Sequence, residues 1–153
     1  MKKIEFKITI ASPAKNVWNI MLDRKTYKEW VKAGWPGSDY DGKWAKGEKI
    51  RFIGESADEP AVGQGGTLAL IEEFKPYETI LARHIAVINA DGSEDYDSEL
   101  AKGWVGTLER YTFTESKGNT TLTVGLETNP DWEKMFQDGW PVALKALKEI
   151  CEK

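Results

Sequence analysis

His84 is the only histidine in the chain, and it sits in the alternation Ile80, Ala82, His84, Ala86, Ile88. Period-two spacing puts these five side chains on one face of a strand and Arg83 on the other. An imidazole on an apolar inner face could act as a general acid or base near neutral pH. A hydrogen-bonded core or surface histidine carries the same signature. Tyr111 and Phe113 also share a strand face, where Tyr111 would contribute a hydroxyl. Arg51, Glu109 and Arg110 fall within strand-like runs as well. Turned inward they would orient a polar ligand, but an inward charge must be paired or solvated. Solvent-facing positions explain most of them more simply.

The seven tryptophans divide by position. Trp18, Trp132 and Trp140 lie on apolar helical faces, where an indole either packs or lends a flat wall and one N–H donor to a pocket. Trp30 falls on a second short helix. Trp35, Trp44 and Trp104 fall near loops or strand ends and suit a pocket mouth or a subunit contact.

Other chemistries find little support. With one His and one Cys, a metal site of the usual kind has too few ligands, and no nucleophilic triad can be assembled. Cys151 reads as a packed or partly exposed thiol without a catalytic partner. The acidic run D-G-S-E-D-Y-D-S-E, residues 91–99, carries Asp91, Asp95, Asp97 and Glu99. Alternating carboxylates can ligate calcium, but the glycine and glutamate of an EF-hand are missing, so a solvated loop is the expectation. The run G-Q-G-G at 63–66 opens a strand and not a helix, so it is no phosphate loop. No cofactor is expected.

The bulk numbers narrow the class. A chain of 153 residues, 41% apolar and 30% charged, suits one globular domain. A formal net charge of −4 argues against a general nucleic-acid binder. No run is apolar enough to span a bilayer, and the N-terminal M-K-K-I-E-F-K-I-T-I alternates where a signal peptide would be continuously apolar. A cytoplasmic location is the default expectation.

The elements that must position these residues follow from pattern. Residues 3–10 alternate as a half-buried strand. Ser12 is placed to N-cap, and Pro13 to open, a helix carrying Val17, Trp18, Met21 and Leu22. Asp23 can cap a second helix holding Tyr27, Trp30 and Val31. After a break at 33–38, strands are expected over 38–44, 48–54, 66–74, 79–88, 104–115 and 119–128, with a hairpin turn at 115–120 and loops at 54–66 and 89–103. Residues 130–153 then carry an apolar stripe at helical spacing: Trp132, Met135, Phe136, Trp140, Ala143, Leu144, Leu147 and Ile150. A helix of about 22 residues is roughly 33 Å long, enough to cross a sheet. Pro141 should bend it or force a restart.

Three segments carry a resemblance: S-P-A-K-N-V-W-N-I-M-L-D at 12–23 followed by Y-K-E-W at 27–30, E-E-F-K-P-Y-E-T-I-L-A at 72–82, and G-W-P-V-A-L-K-A-L-K at 139–148. In them the chain resembles the START/Bet v 1-like (SRPBCC) superfamily, and within it the proteins similar to the C-terminal domain of the heat-shock-protein-90 ATPase activator. The resemblance implies an α+β helix-grip fold: a curved antiparallel sheet of about six or seven strands, two short N-terminal helices, and a long C-terminal helix across the sheet. Shared fold does not hand over function, and three readings follow. The first is binding of a small apolar or amphipathic molecule between the last helix and the sheet. Trp132, Met135, Phe136 and Trp140 would form the helical wall, and His84, Tyr111 and Phe113 would face them from the sheet. The second is a protein-interaction or stress-related module of the chaperone-activator kind. The third, less favoured, is a cyclase- or hydrolase-like enzyme using His84. A homodimer is compatible with the fold class.

Overall fold

Strand β1, Lys2–Ile10, forms as its alternation requires. The computed structural model describes residues 2–55, 64–89 and 91–153. The expected loop at 54–66 lies largely outside the described residues. Helix α1, Ala14–Leu22, follows β1, but Pro13 and not Ser12 occupies its N-cap position, without a side-chain bond to the helix. The cap comes from elsewhere: the Ala14 N–H donates to Glu115 Oε1 at 2.6 Å. Asp23 ends α1 and starts α2, Arg24–Val31, accepting from the N–H groups of Lys25 and Thr26. The expected cap of the second helix is thus realised.

Strands β2 (Asp39–Gly42), β3 (Lys49–Glu55), β4 (Gln64–Lys75) and β5 (Thr79–Ile88) follow as successive antiparallel neighbours. Irregular register between β4 and β5 at Leu68/Ala69 and Ile71/Glu73 adds local bending. The loop after β5 carries two small elements that pattern alone did not resolve: β6, Glu94–Asp95, on the edge of β5, and a single helical turn, α3, Glu99–Lys102. Strands β7 (Leu108–Ser116) and β8 (Asn119–Thr128) form the expected hairpin, and β8 closes back onto β1. The order across the sheet is β1-β8-β7-β5-β4-β3-β2, with β6 beside β5. The helix-grip expectation therefore holds, with one short strand more than foreseen.

One strand begins late. Residues 104–107 were expected to open β7 but make a turn whose Gly106 has φ +94°. The β5–β7 ladder stops at Arg83↔Leu108. Beyond it, His84 N donates to Thr107 O at 2.9 Å and Gly106 N to His84 O at 2.7 Å. The turn satisfies the backbone of β5 while freeing Trp104 to fold inward.

A 3₁₀ turn, Pro130–Trp132, leads into α4, Glu133–Cys151. Helix α4 passes through Pro141 without the expected restart. It buries Trp140, Ala143, Leu144, Leu147 and Cys151, and packs on β1, α1 and α2. Where it crosses the turn after α2, two glycines meet. A Cβ on Gly34 would lie 2.5 Å from the Gly139 carbonyl oxygen, and a Cβ on Gly139 would lie 2.6 Å from the Trp35 ring. These contacts set how closely α4 approaches, so this half of the core is closed while the half around the start of α4 stays open.

Candidate functional site

A pocket of about 460 Å³ opens between the N-terminal half of α4, α2 with the turn after it, and the concave face of the sheet. The sheet contributes Phe52, His84, Glu109 and Tyr111; α2 contributes Tyr27 and Trp30; Trp35 follows from the next turn. Leu100 and Trp104 come from α3 and the turn after it. Trp132, Met135, Phe136 and Trp140 come from the last helical segment. The stripe that was expected to form the helical wall does so, though Met135 is 48% exposed and stands at the rim.

The inner polar corner is built by strand alternation. In β5 every second residue from Ile80 to Ile88 is buried, which turns His84 inward. In β7 the buried set is Glu109, Tyr111 and Phe113. Pairing of Ala82 with Glu109 brings the two polar side chains side by side. His84 Nε2 lies 3.4 Å from Glu109 Oε2, with His84 4% and Glu109 9% exposed. That is a charge contact, longer than a good N–H···O bond. Nε2 is the ring nitrogen turned to the carboxylate, and Nδ1 is the other. Nδ1 is buried and has no partner among the described residues; the same is true of Trp104 Nε1 and Trp140 Nε1. All three belong to residues of the pocket lining. A bound molecule or ordered water would complete them.

The surrounding phenols stay protonated. Burial pushes Tyr111 well above the ordinary phenol value, and the Glu109 charge adds to it. Burial also raises Tyr27, with the Glu109 charge again the next cause. The rings are closely nested: His84 and Trp104 have centroids 4.4 Å apart, and Trp104 stacks on Phe136 at 5.9 Å and 14°. Trp140 contacts Trp35 at 5.3 Å and Tyr111 at 6.1 Å.

Several candidates lie elsewhere. Phe113 shares the inward face of β7 but packs on Trp18 at 5.2 Å, behind the pocket and not in its lining. Trp44 packs between Tyr40 and Phe52, also outside the lining. Arg51 bonds Glu94 at 2.8 Å and the Gly92 carbonyl at 2.9 Å; Arg110 bonds Glu73, and Arg83 bonds Glu72, each at 3.0 Å. These arginines are used on the outer face. Cys151 is buried, and burial, with a smaller contribution from the Glu152 charge, pushes its thiol up to about 12. The acidic loop organises itself: Asp91 accepts from Ser93, and Asp95 accepts from the N–H groups of Asp97 and Ser98. Among the described residues no three His, Cys, Asp or Glu side chains converge as a metal site.

Glu109, Tyr27 and Trp30 line the pocket beyond the expected binding set. For Glu109 the signal was present, since it shares the period-two face of Tyr111. Trp104, expected near a pocket mouth, does line the pocket, while Tyr27 and Trp30 read in sequence only as the apolar side of a short helix.

None of the curated proteins matches the chain. Solved structures show the fold at low identity. A protein of Nitrosomonas europaea is 16% identical with a TM-score of 0.73, covering 97% of this chain and 93% of its own. The Aha1 dimer of Colwellia psychrerythraea is 17% identical with a TM-score of 0.70, covering 99% and 97%. A protein of Chromobacterium violaceum is likewise 17% identical, with a TM-score of 0.69 over 99% and 97%. A family model described as "Activator of Hsp90 ATPase homolog 1-like protein" matches residues 11–152, nearly the whole described fold from the end of β1 to the end of α4. The chain belongs to the family of Activator of Hsp90 ATPase homolog 1-like proteins.

Proposed function

We propose that this protein binds a small apolar or amphipathic molecule in the pocket between α4, α2 and the sheet. The observation that carries the reading is the pocket itself: about 460 Å³, lined largely by aromatic rings, with three buried polar atoms unpartnered among the described residues on its lining side chains. Ligand sites of drug-like molecules fall at roughly 300–1,000 Å³ and pair an apolar wall with a few polar groups. Burial of apolar ligand surface, at about 25 cal/mol per Å², supplies the affinity. The binding wall comprises His84, Tyr111, Trp132, Met135, Phe136 and Trp140, joined by Tyr27, Trp30, Trp35, Trp104 and Glu109. A panel of fatty acids, flavonoids and hydrophobic dyes tests it by tryptophan emission and melting temperature. Quenching together with a raised Tm is expected for at least one class; a flat response across the panel rejects the reading.

Acid–base catalysis is a second reading, favoured by the His84–Glu109 contact inside the pocket and the free Nδ1. It requires turnover of a carbonyl or ester substrate that is lost in His84→Gln while binding persists. Turnover unaffected by that substitution removes it. A partner-protein role is the third. Family membership and the exposed Leu100, Met135 and Val142 support it, and the solved Aha1 dimer makes self-association the first contact to measure. Sedimentation at micromolar concentration and a pull-down with the chaperone test the two contacts separately. Among the described residues no helix is long and apolar enough to cross a membrane.

A further inference from the structure

Among the described residues the pocket lining holds one carboxylate and no lysine or arginine. The arginines on neighbouring strands, Arg51, Arg83 and Arg110, are each paired with a glutamate outside it. The residues outside the description, 1, 56–63 and 90, include no lysine or arginine. Glu109 is nine-tenths buried, and among the described residues its one basic neighbour within 4 Å is His84 Nε2, at 3.4 Å. Its field reaches the neighbouring phenols, since the Glu109 charge is the second cause, after burial, of the raised Tyr111 and Tyr27.

Around this carboxylate nine of the lining side chains are Phe, Tyr or Trp. Ring faces carry negative quadrupole charge and attract a desolvated cation within about 6 Å. A buried carboxylate attracts it more strongly, because little water screens the pair. The other ligand charges fare worse. An anion would face Glu109 at close range, and a neutral molecule could at best donate a hydrogen bond to Glu109 without balancing its charge. The two influences, ring faces and carboxylate, point to the same ligand charge.

We propose that the pocket takes an organic monocation: a protonated or quaternary amine on an apolar stem, its ammonium beside Glu109 and the rings of Trp104 and Tyr111, its stem along Phe136 towards the mouth at Met135. The selection for positive charge comes from Glu109, and the tolerance for a bulky ammonium comes from the aromatic walls. This rests on the pocket being a ligand site, and the test separates the two ideas.

Three probes of one shape are titrated calorimetrically into the full chain: phenylbutylamine, phenylbutanol and phenylbutyrate. The amine is expected to bind at least tenfold more tightly than the alcohol, and the acid most weakly. In Glu109→Gln, its fold checked by circular dichroism, the amine and alcohol are expected to converge. The wild-type comparison stands without the variant should the substitution unfold the chain. If the alcohol or the acid matches the amine in the wild type, or if the amine preference survives Glu109→Gln, the cation proposal is wrong while the pocket remains a ligand site. If none of the three binds, the pocket reading fails and this inference falls with it.

Discussion

The meeting of Gly34 and Gly139 can be tested by one methyl group. In Gly34→Ala the new Cβ would sit 2.5 Å from the Gly139 carbonyl oxygen, 3.0 Å from its carbon and 3.2 Å from its Cα. All three atoms are backbone of α4, so relief requires the helix itself to move away by several tenths of an ångström. Overpacking of this kind costs about 1–3 kcal/mol. Gly34 is not in a positive-φ conformation, so elsewhere the same change would stabilise by about 0.4–1 kcal/mol through the unfolded chain. At the midpoints, about 2 against about 0.7 kcal/mol, the net loss is about 1.3 kcal/mol, which at about 2–4 °C per kcal/mol for a domain of this size lowers Tm by about 3–5 °C. Gly139→Ala is the control. Its Cβ would meet the Trp35 ring at 2.6 Å, a half-buried side chain that can swing, and alanine recovers about 1 kcal/mol of helix propensity. It should be close to neutral in Tm while altering the pocket wall that Trp35 forms. Calorimetric melting of the two variants decides. A Gly34→Ala protein as stable as the wild type, or more stable, would show that α4 does not approach the α2 turn this closely.

Trp140→Ala should lower stability by about 3–5 kcal/mol, because its ring is 5% exposed and packs against Phe6, Trp30, Trp35 and Tyr111; a chemical-denaturation midpoint near the wild-type value would contradict this. The hydrogen bond from Arg24 to Asp39, first among its causes, holds that carboxyl below the ordinary 3.8. A depressed folded-state value means that the pair stabilises above the unfolded aspartate pKa and loses this as pH falls through the folded one. Arg24→Ala should therefore reduce Tm modestly at neutral pH and not in strong acid, and a difference that is constant with pH rejects the pairing. Cys151, buried with its thiol pushed up to about 12, should resist iodoacetamide in the native protein and react fully in denaturant, as mass spectrometry would record.

Much of the fold was legible because the strands alternate and the last helix keeps an unbroken stripe. These are burial patterns, and burial leaves its mark residue by residue. What escaped the sequence depends on partners far along the chain. Glu115 is an exposed-looking residue at a hairpin end, yet it caps α1. Residues 104–107 look like the start of a strand, yet the edge of β5 accepts them as a turn. Pro141 looks like a break, yet α4, packed on β1, α1 and α2, continues through it as one helix. The site was half legible for the same reason. His84 and Tyr111 announce their face by alternation, while the approach of Glu109 to His84 needs the Ala82↔Glu109 register, which no local pattern contains.

The borrowed cap of α1 has a consequence for how the chain comes to be folded. Residue 14 is synthesised 101 residues before the carboxylate that completes its helix, and β1 waits still longer for β8, its hydrogen-bonded neighbour. On the ribosome the N-terminal third thus emerges with one strand edge open and one helix end unfinished. Contacts of such long sequence separation are paid for late, after loop closure. The first and last thirds of the chain become native together, once Glu115 and β8 are available, and amide protection of α1 should appear in step with that of the β7–β8 hairpin.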